Sequence, residues 1–359
     1  MNNGQTITFI IAGPLDQPTG GYRYDARIIA GLRALGWRVA VVELPGRFPL
    51  ADDEATRALE RTLSACEAGS RVVIDGLAGG GLPDVVGRHA ARLSITALVH
   101  HPLCDETGLD IGTADALRAR ETETLSHAAC IITTSRFTRE RLHELGLTTN
   151  DAVVIEPGVE DLPGAKGRRR APSTGTPWRL LCVATLIPRK GHAVLVEALA
   201  QVADLDWQCA FVGATDRDPE HTAAIETAIS RAGLSDRITL HGAVDESRLD
   251  AHYADADLFV LASHYEGYGM VITEAIAHAL PVVTTTGGAL AHTLPAGAGR
   301  ATPPGDADAL ATALRTIMTD RSAYTAARQA AQTAGAQLGD WPEAARAFAA
   351  ALQTSGQRT

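Results

Sequence analysis

The chain has 359 residues, of which 45% are hydrophobic and 21% charged, with a formal net charge of −10. That length is enough for two cores of ordinary domain size, and the acidic balance argues against nucleic acid as a partner, which calls for a basic footprint. No apolar stretch reaches the ~18 residues of a membrane helix, so no integral membrane segment is expected.

The first residues, MNNGQTITFIIAG, have no basic lead-in and enter a strand pattern directly, which argues against a secretory signal. Five cysteines are scattered without a CxxC pair, and a reduced, cytoplasmic setting is expected. In the first half the strand candidates are 7–13, 38–44, 71–76, 95–100, 130–135 and 152–157, with helical patterns between most of them, such as 24–36 and 136–146. Runs apolar on both faces and spaced by helices predict a parallel sheet covered on two sides. DLPGAKGRRRAPSTGTP (161–177) has no period and reads as a linker; its cluster from Lys166 to Arg170 is either a solvated loop or an anion site. The alternation then restarts at 179–185, 207–213, 238–244, 257–262 and 281–286, and the tail from Asp306 to Gln353 is helical and Ala-rich. The prediction is α/β: two doubly wound, Rossmann-like domains facing a central cleft. The boundaries are 1–160, a linker 161–177, 178–340, and a last helix 341–359. Ligands of such sheets bind beyond the carboxyl ends of the strands, so motifs that follow strands carry the functional reading.

Four such places stand out. After the first strand, Gly20 and Gly21 open a helix, where backbone amides attract anions; the pair also suits a plain turn, and it is not the dinucleotide fingerprint GxGxxG. His100 and His101 end the fourth strand. Adjacent histidines on a strand point to opposite faces and no third ligand is spaced to join them, so no metal site is expected, and each is either a ligand contact or a loop histidine. Arg189 and Lys190 stand just before a helix, where the dipole prefers acids, so an anionic ligand is the simpler account of two cations. Lys166 and Lys190 are the only lysines in the chain. The fourth place is SHYEGYGMVITEAIAHALPVV (263–283), between two apolar runs. It offers the amides of Gly269, Met270 and Val271 at a helix start, Glu274 one turn in, and Glu266 in the loop before. Carboxylates accept paired hydrogen bonds from vicinal hydroxyls, so an anion cradle with two such acceptors describes a nucleotide-sugar. The bland alternative is a helix cap and a solvated glutamate.

The stretch EGYGMVITEAIAHALPVV resembles the E-x7-E element of the retaining glycosyltransferases of family 4, or group 1, which have the GT-B fold. PRKGH around Lys190, the Gly20–Gly21 loop, IEPGVE (155–160) and HGAVDESRLDAHYADADLFVLAS (241–263) extend the resemblance over nearly the whole chain. It implies that Glu274 binds the donor ribose and that Glu266, with the Met270 and Val271 amides, contacts the transferred sugar. Lys190 is implied at the diphosphate, with Gly21 approaching it from the other domain. His100, chosen over His101 because it directly follows the apolar run, is implied at the donor sugar, and Val244 near the base. The last helix, from Trp341, is implied to cross back onto the first domain. The family arginine five residues before the lysine is Thr185 here, and Arg189 is the candidate substitute.

The resemblance further implies metal-independent transfer of a hexose with retention, from a nucleotide-sugar cosubstrate, UDP-sugar first and GDP-sugar second, with domain closure excluding water. The competing readings are a non-hydrolysing nucleotide-sugar epimerase and a catalytically silent sugar-nucleotide binder. Residues 1–160 carry 15 basic and 21 acidic groups, so a soluble small-molecule or glycan acceptor is expected rather than an anionic lipid surface. Tyr22, Arg23, Tyr24 and Asp25 are the candidate acceptor contacts, and the chain is expected to be a monomer or homodimer.

Overall fold

The computed structural model describes residues 5–17, 19–106, 108–160 and 175–355. The basic cluster Lys166–Arg170 lies outside the described residues. The chain divides into two compact units, Met1–Gly158 with Gly339–Thr359, and Val159–Leu338.

The first unit runs β1 (Thr6–Ala12), α1 (Gly20–Ala34), β2 (Arg38–Leu44), α2 (Asp53–Ala65), β3 (Arg71–Asp75), α3 (Gly76–Gly79), α4 (Pro83–Ala90), β4 (Ser94–Val99), α5 (Ile111–Ser126), β5 (Cys130–Thr133), α6 (Arg136–Glu144) and β6 (Val153–Val154). Its six strands are parallel in the order β2-β1-β3-β4-β5-β6. β1 shows why the sheet is covered on both faces. Ile7, Phe9 and Ile11 pack with Tyr24, Ile28 and Leu32 of α1, whereas Ile10 and Ala12 pack with Leu59 and Leu63 of α2 and Val85 and Val86 of α4. The two sets alternate, as the two-residue period of a strand requires. The strand expected at 152–157 shrinks to two residues at the sheet edge.

The second unit runs β7 (Trp178–Val183), α7 (His192–Gln201), β8 (Trp207–Val212), α8 (Pro219–Arg231), β9 (Ile238–Gly242), α9 (Glu246–Asp255), β10 (Leu258–Leu261), α10 (Met270–Ala277), β11 (Val282–Thr285), α11 (Leu290–Thr293), β12 (Gly299–Thr302), α12 (Ala307–Thr319) and α13 (Arg321–Gly335). Its parallel strands lie in the order β12-β11-β10-β7-β8-β9. β12, GRAT, is an edge strand with two exposed central residues, and nothing in its composition marks it as a strand.

The last helix, α14 (Trp341–Ser355), belongs to the first unit. Its Ala344, Phe348 and Leu352 join the α1 face of that core, with the Phe348 ring stacked on Phe9 at 6.3 Å. Gly31 of α1 faces Ala345 so closely that an added Cβ would come within 2.4 Å of the alanine methyl. The two helices therefore meet through their smallest residues.

In each sheet the strand order reverses direction once, between β1 and β3 and between β7 and β10. Such switch points leave a crevice at the carboxyl ends of the strands. Both candidate sites lie there.

Candidate functional site

The longer helices fall into two groups by how they start. Asp52, Ser135, Asp218, Asp245, Asp306 and Asp320 cap α2, α6, α8, α9, α12 and α13 with their side chains. By contrast α1, α7 and α10, which follow β1, β7 and β10, have neither a side-chain cap nor an acid in the first turn. The amides of their first turns are left without such partners.

At the second unit's switch point, Gly191 and Gly269 start α7 and α10 in the left-handed region, at φ +67° and +90°. Gly191 presses on the end of β10: a Cβ there would lie 2.0 Å from the Ala262 carbonyl oxygen. The loops after β7 and β10 are laced together, with the His264 amide donating to the Arg189 carbonyl at 2.8 Å. Arg189 Nη1 donates to the Tyr265 carbonyl at 2.7 Å. Within this lattice the Glu266 carboxylate is buried. It accepts from Lys190 Nζ at 2.6 Å, Arg189 Nη1 at 3.3 Å and Ser263 Oγ at 2.7 Å. Gly287 and Gly288, after β11, complete the seat: a Cβ on either would fall 2.3 Å from the His264 or Glu266 carbonyl oxygen. The Ala289 amide donates to the Glu266 carbonyl at 2.8 Å.

Burial by itself would raise the Glu266 pKa. The Lys190 and Arg189 charges, with the hydrogen bonds from Lys190 and Ser263, outweigh it and hold the carboxyl below its usual range. Burial likewise lowers the Lys190 pKa, against the pull of Glu266. Glu274, half-buried on α10, accepts from the Tyr253 hydroxyl at 2.8 Å. The Tyr253 ring in turn lies on His278 at 4.9 Å, and His278 bonds Asp250 at 2.8 Å. Val244 is half-buried and packs on the core just before α9, and Val271 packs on the same core.

At the first unit's switch point the charges are reversed. His100, directly after β4, places Nε2 3.1 Å from Asp25 Oδ1 and 3.3 Å from Asp75 Oδ2. Asp75 is aimed by the Leu77 amide, which donates to its Oδ1 at 2.9 Å, and Asp25 sits one turn into α1. The Tyr24 ring meets His100 edge-on at 5.5 Å. Burial opposes the imidazolium charge, but the two carboxylates outweigh it, and the His100 pKa rises well above the usual histidine range. Burial raises that of Asp25, against His100. The loop beyond is fastened by the Thr138 hydroxyl on the His100 carbonyl at 3.0 Å, by His101 on Glu106 at 3.1 Å and by Arg141 paired to Asp105. Glu121 of α5 takes the Leu103 amide at 2.9 Å from a fully buried position, and burial pushes its pKa up to about 8.

Several sequence expectations are corrected here. Tyr24 and Asp25 are not acceptor contacts: both are buried, Tyr24 donating to the Ile155 carbonyl at 2.9 Å and Asp25 bound to His100. Tyr22, half-buried, directs its hydroxyl to the Ala12 carbonyl, and Arg23 is also half-buried. The fold also brings Asp25 and Asp75 to His100, with three ligand-type atoms within 4.8 Å of one another, a grouping that does not include His101. Nε2 stands in hydrogen-bonding contact with both carboxylates, which suits an ion pair. Arg189 is engaged with the loop that it braces. Gly20 and Gly21 do open α1. Yet a Cβ on Gly21 would meet the His100 ring at 3.4 Å, an ordinary contact, so the chain's own packing does not demand that glycine. Sequence reasoning missed Asp75, Ser263, Tyr253 and the Gly287–Gly288 pair. Asp75 was legible as the acid that ends a buried strand; the others take their meaning from partners brought in by the fold.

Two parallel sheets of this order, each with its charged groups at the switch point, define an α/β protein of the GT-B class. Comparison with known proteins agrees. A family model described as "Glycosyl transferases group 1" matches residues 166–334, and one described as "Glycosyl transferase 4-like domain" matches 22–158. The chain belongs to the group 1, family 4-like glycosyltransferases. It is 28% identical over 278 residues to a D-inositol 3-phosphate glycosyltransferase of Kineococcus radiotolerans, covering 71% of this chain and 62% of that protein. Across five curated relatives that it matches, the chain spans between 24% and 62% of their length. Among solved structures, a sucrose-phosphate synthase of Thermosynechococcus elongatus superposes with a TM-score of 0.79 at 22% identity, over 98% of both chains. The Anabaena protein Alr3699/HepE, in complex with UDP and glucose, superposes with a TM-score of 0.75 at 18% identity, over 98% of this chain and 100% of that one. These two likenesses concern the fold. Among the described residues no helix is long and apolar enough to cross a membrane.

Proposed function

We propose that the protein transfers a hexose from a nucleotide-sugar, UDP-sugar before GDP-sugar, to a hydroxyl of a small soluble acceptor, with retention and without a metal. The observation that carries this reading is the Glu266 carboxylate, buried yet kept ionised by Lys190, Arg189 and Ser263 at the switch point, in the loop that leads to the uncapped start of α10, which carries Glu274 one turn in. Lys190 and the Met270 and Val271 amides bind the diphosphate, Glu274 the ribose, and Glu266 the sugar hydroxyls. Val244 lies near the base, and Gly20, Gly21 and His100 complete donor binding. Arg189 acts through Glu266, which it orients.

In the reaction the acceptor oxygen bonds to the anomeric carbon on the face from which the diphosphate leaves. The carbon–oxygen bond to phosphate breaks, and the leaving phosphate oxygen takes the acceptor's proton. Fixed cations and amides aimed at the developing phosphate charge contribute about 3–4 kcal/mol each in comparable settings. That the relatives' names include an inositol phosphate glycosyltransferase and a sucrose-phosphate synthase supports a small polyhydroxyl acceptor.

Thermal shift with UDP-, GDP- and ADP-sugars is the test, repeated on Glu274→Ala. Binding to the native state raises Tm by mass action. One nucleotide should stabilise the wild type and not the variant, and NMR of the product should show the donor's anomeric configuration preserved. No shift with any nucleotide-sugar would refute the reading.

A further inference from the structure

Of the two edges of the His100 ring, only one is engaged. Nε2 faces Asp25 and Asp75, and the ring is flanked by Tyr24 and by the backbone at Gly21. Among the described residues Nδ1 makes no hydrogen bond, and the side chain retains 18% of its exposure. We infer that Asp25 and Asp75 are positioning residues that fix His100 as an imidazolium with Nδ1–H as its one free donor, aimed at an oxygen of the bound sugar-nucleotide. The inference rests on the proposed function and deepens it.

The argument is one of donors and charge. Two carboxylates aimed at one ring nitrogen require a proton there, because an unprotonated Nε2 would oppose its lone pair to both. Two carboxylates with exposures of 2% and 6% also need a compensating cation, and His100 is the cation in contact with them. Once Nε2 carries the fixed proton, the second proton sits on Nδ1. A histidine held in this way is a rigid charged donor and does not exchange protons during turnover, in keeping with a reaction in which the leaving phosphate takes the proton. The groups that set its charge are Asp25 and Tyr24 of α1 and Asp75 at the end of β3.

The test is a two-bond proton–nitrogen NMR correlation of the histidine rings in the full chain, with His100→Gln for assignment. At about pH 8, where an ordinary histidine is neutral, both His100 nitrogens should be protonated. A UDP- or GDP-sugar should move the Nδ1 signal and leave Nε2 nearly still. Asp75→Asn and Asp25→Asn should each lower the titration midpoint by about one unit or more, since each removes a charge contact. In Asp75→Asn, kcat/KM should fall about twofold or more from pH 6 to pH 9, while the wild type stays nearly flat; a merely structural loss would not depend on pH. A neutral His100 at pH 8 in an active wild type overturns the inference and leaves the proposed function standing. A charged His100 whose Nδ1 signal no nucleotide-sugar moves, in a protein without turnover, overturns both.

Discussion

The two switch points are built on one plan with opposite charge. In the first unit a cation, His100, lies between two acids; in the second an acid, Glu266, lies between two cations. The strands correspond as well: β1 with β7, β3 with β10, β4 with β11. In each unit the flanking strands supply the charges, and the next strand outward supplies either the central group, His100, or the glycines that seat it, Gly287 and Gly288. The lesson is that burial at these crevices is made tolerable by internal compensation. Each site holds a charged group ready before any ligand arrives, and the amides of α1, α7 and α10 stay uncapped beside it.

The largest expected effect comes from unbalancing the second site. Glu266→Gln keeps the shape but leaves Lys190 and Arg189 uncompensated, and kcat should fall by roughly 10²–10³-fold, as for loss of one fixed electrostatic partner. A variant with wild-type kcat would remove Glu266 from the site. Next is a contrast between glycines. Gly191→Ala meets a backbone carbonyl at a positive φ and should lower stability by about 2–4 kcal/mol in urea unfolding. Gly21→Ala has room in the protein itself, so its Tm should hold while nucleotide-sugar affinity drops. If both variants lose stability equally, the distinction between a glycine needed by the chain and one needed by a ligand fails. Tyr253→Phe removes one hydrogen bond to Glu274 and should weaken nucleotide binding by about 1 kcal/mol, near fivefold, in calorimetry.

A pH-dependent effect concerns Glu121, which binds the loop beyond His100 with no compensating cation in contact among the described residues. Its folded pKa is raised to about 8, so between the ordinary glutamate value and about 8 the folded state holds a proton that the unfolded state has released. Its contribution therefore destabilises progressively as pH rises through that window. Urea unfolding should show Glu121→Gln gaining on the wild type from pH 5 to pH 8, and equal pH slopes would contradict the assignment.

How much of this was legible depended on distance along the chain. β1, β3, β4, β7 and β10 announce themselves as apolar runs because both sheet faces are buried, and the motifs fall after them as the doubly wound fold requires. Lys190, Glu266 and Glu274 could be singled out because strand ends and helix starts are local signals. β12 escaped because an edge strand needs no apolar face. Asp25 was misread as a ligand contact for a different reason: its partner is 75 residues away, and only the strand order brings them together. Tyr253, 21 residues from Glu274, was hidden in the same way.

The placement of α14 also has a consequence for biosynthesis. The first unit is built from segments on both sides of the second in sequence, α14 among them, so the ribosome must deliver all of the second unit before the first can close. Until Phe348 and Leu352 emerge, the α1 face of the first core lacks part of its cover, and a nascent or truncated chain would present that apolar surface to chaperones and proteases.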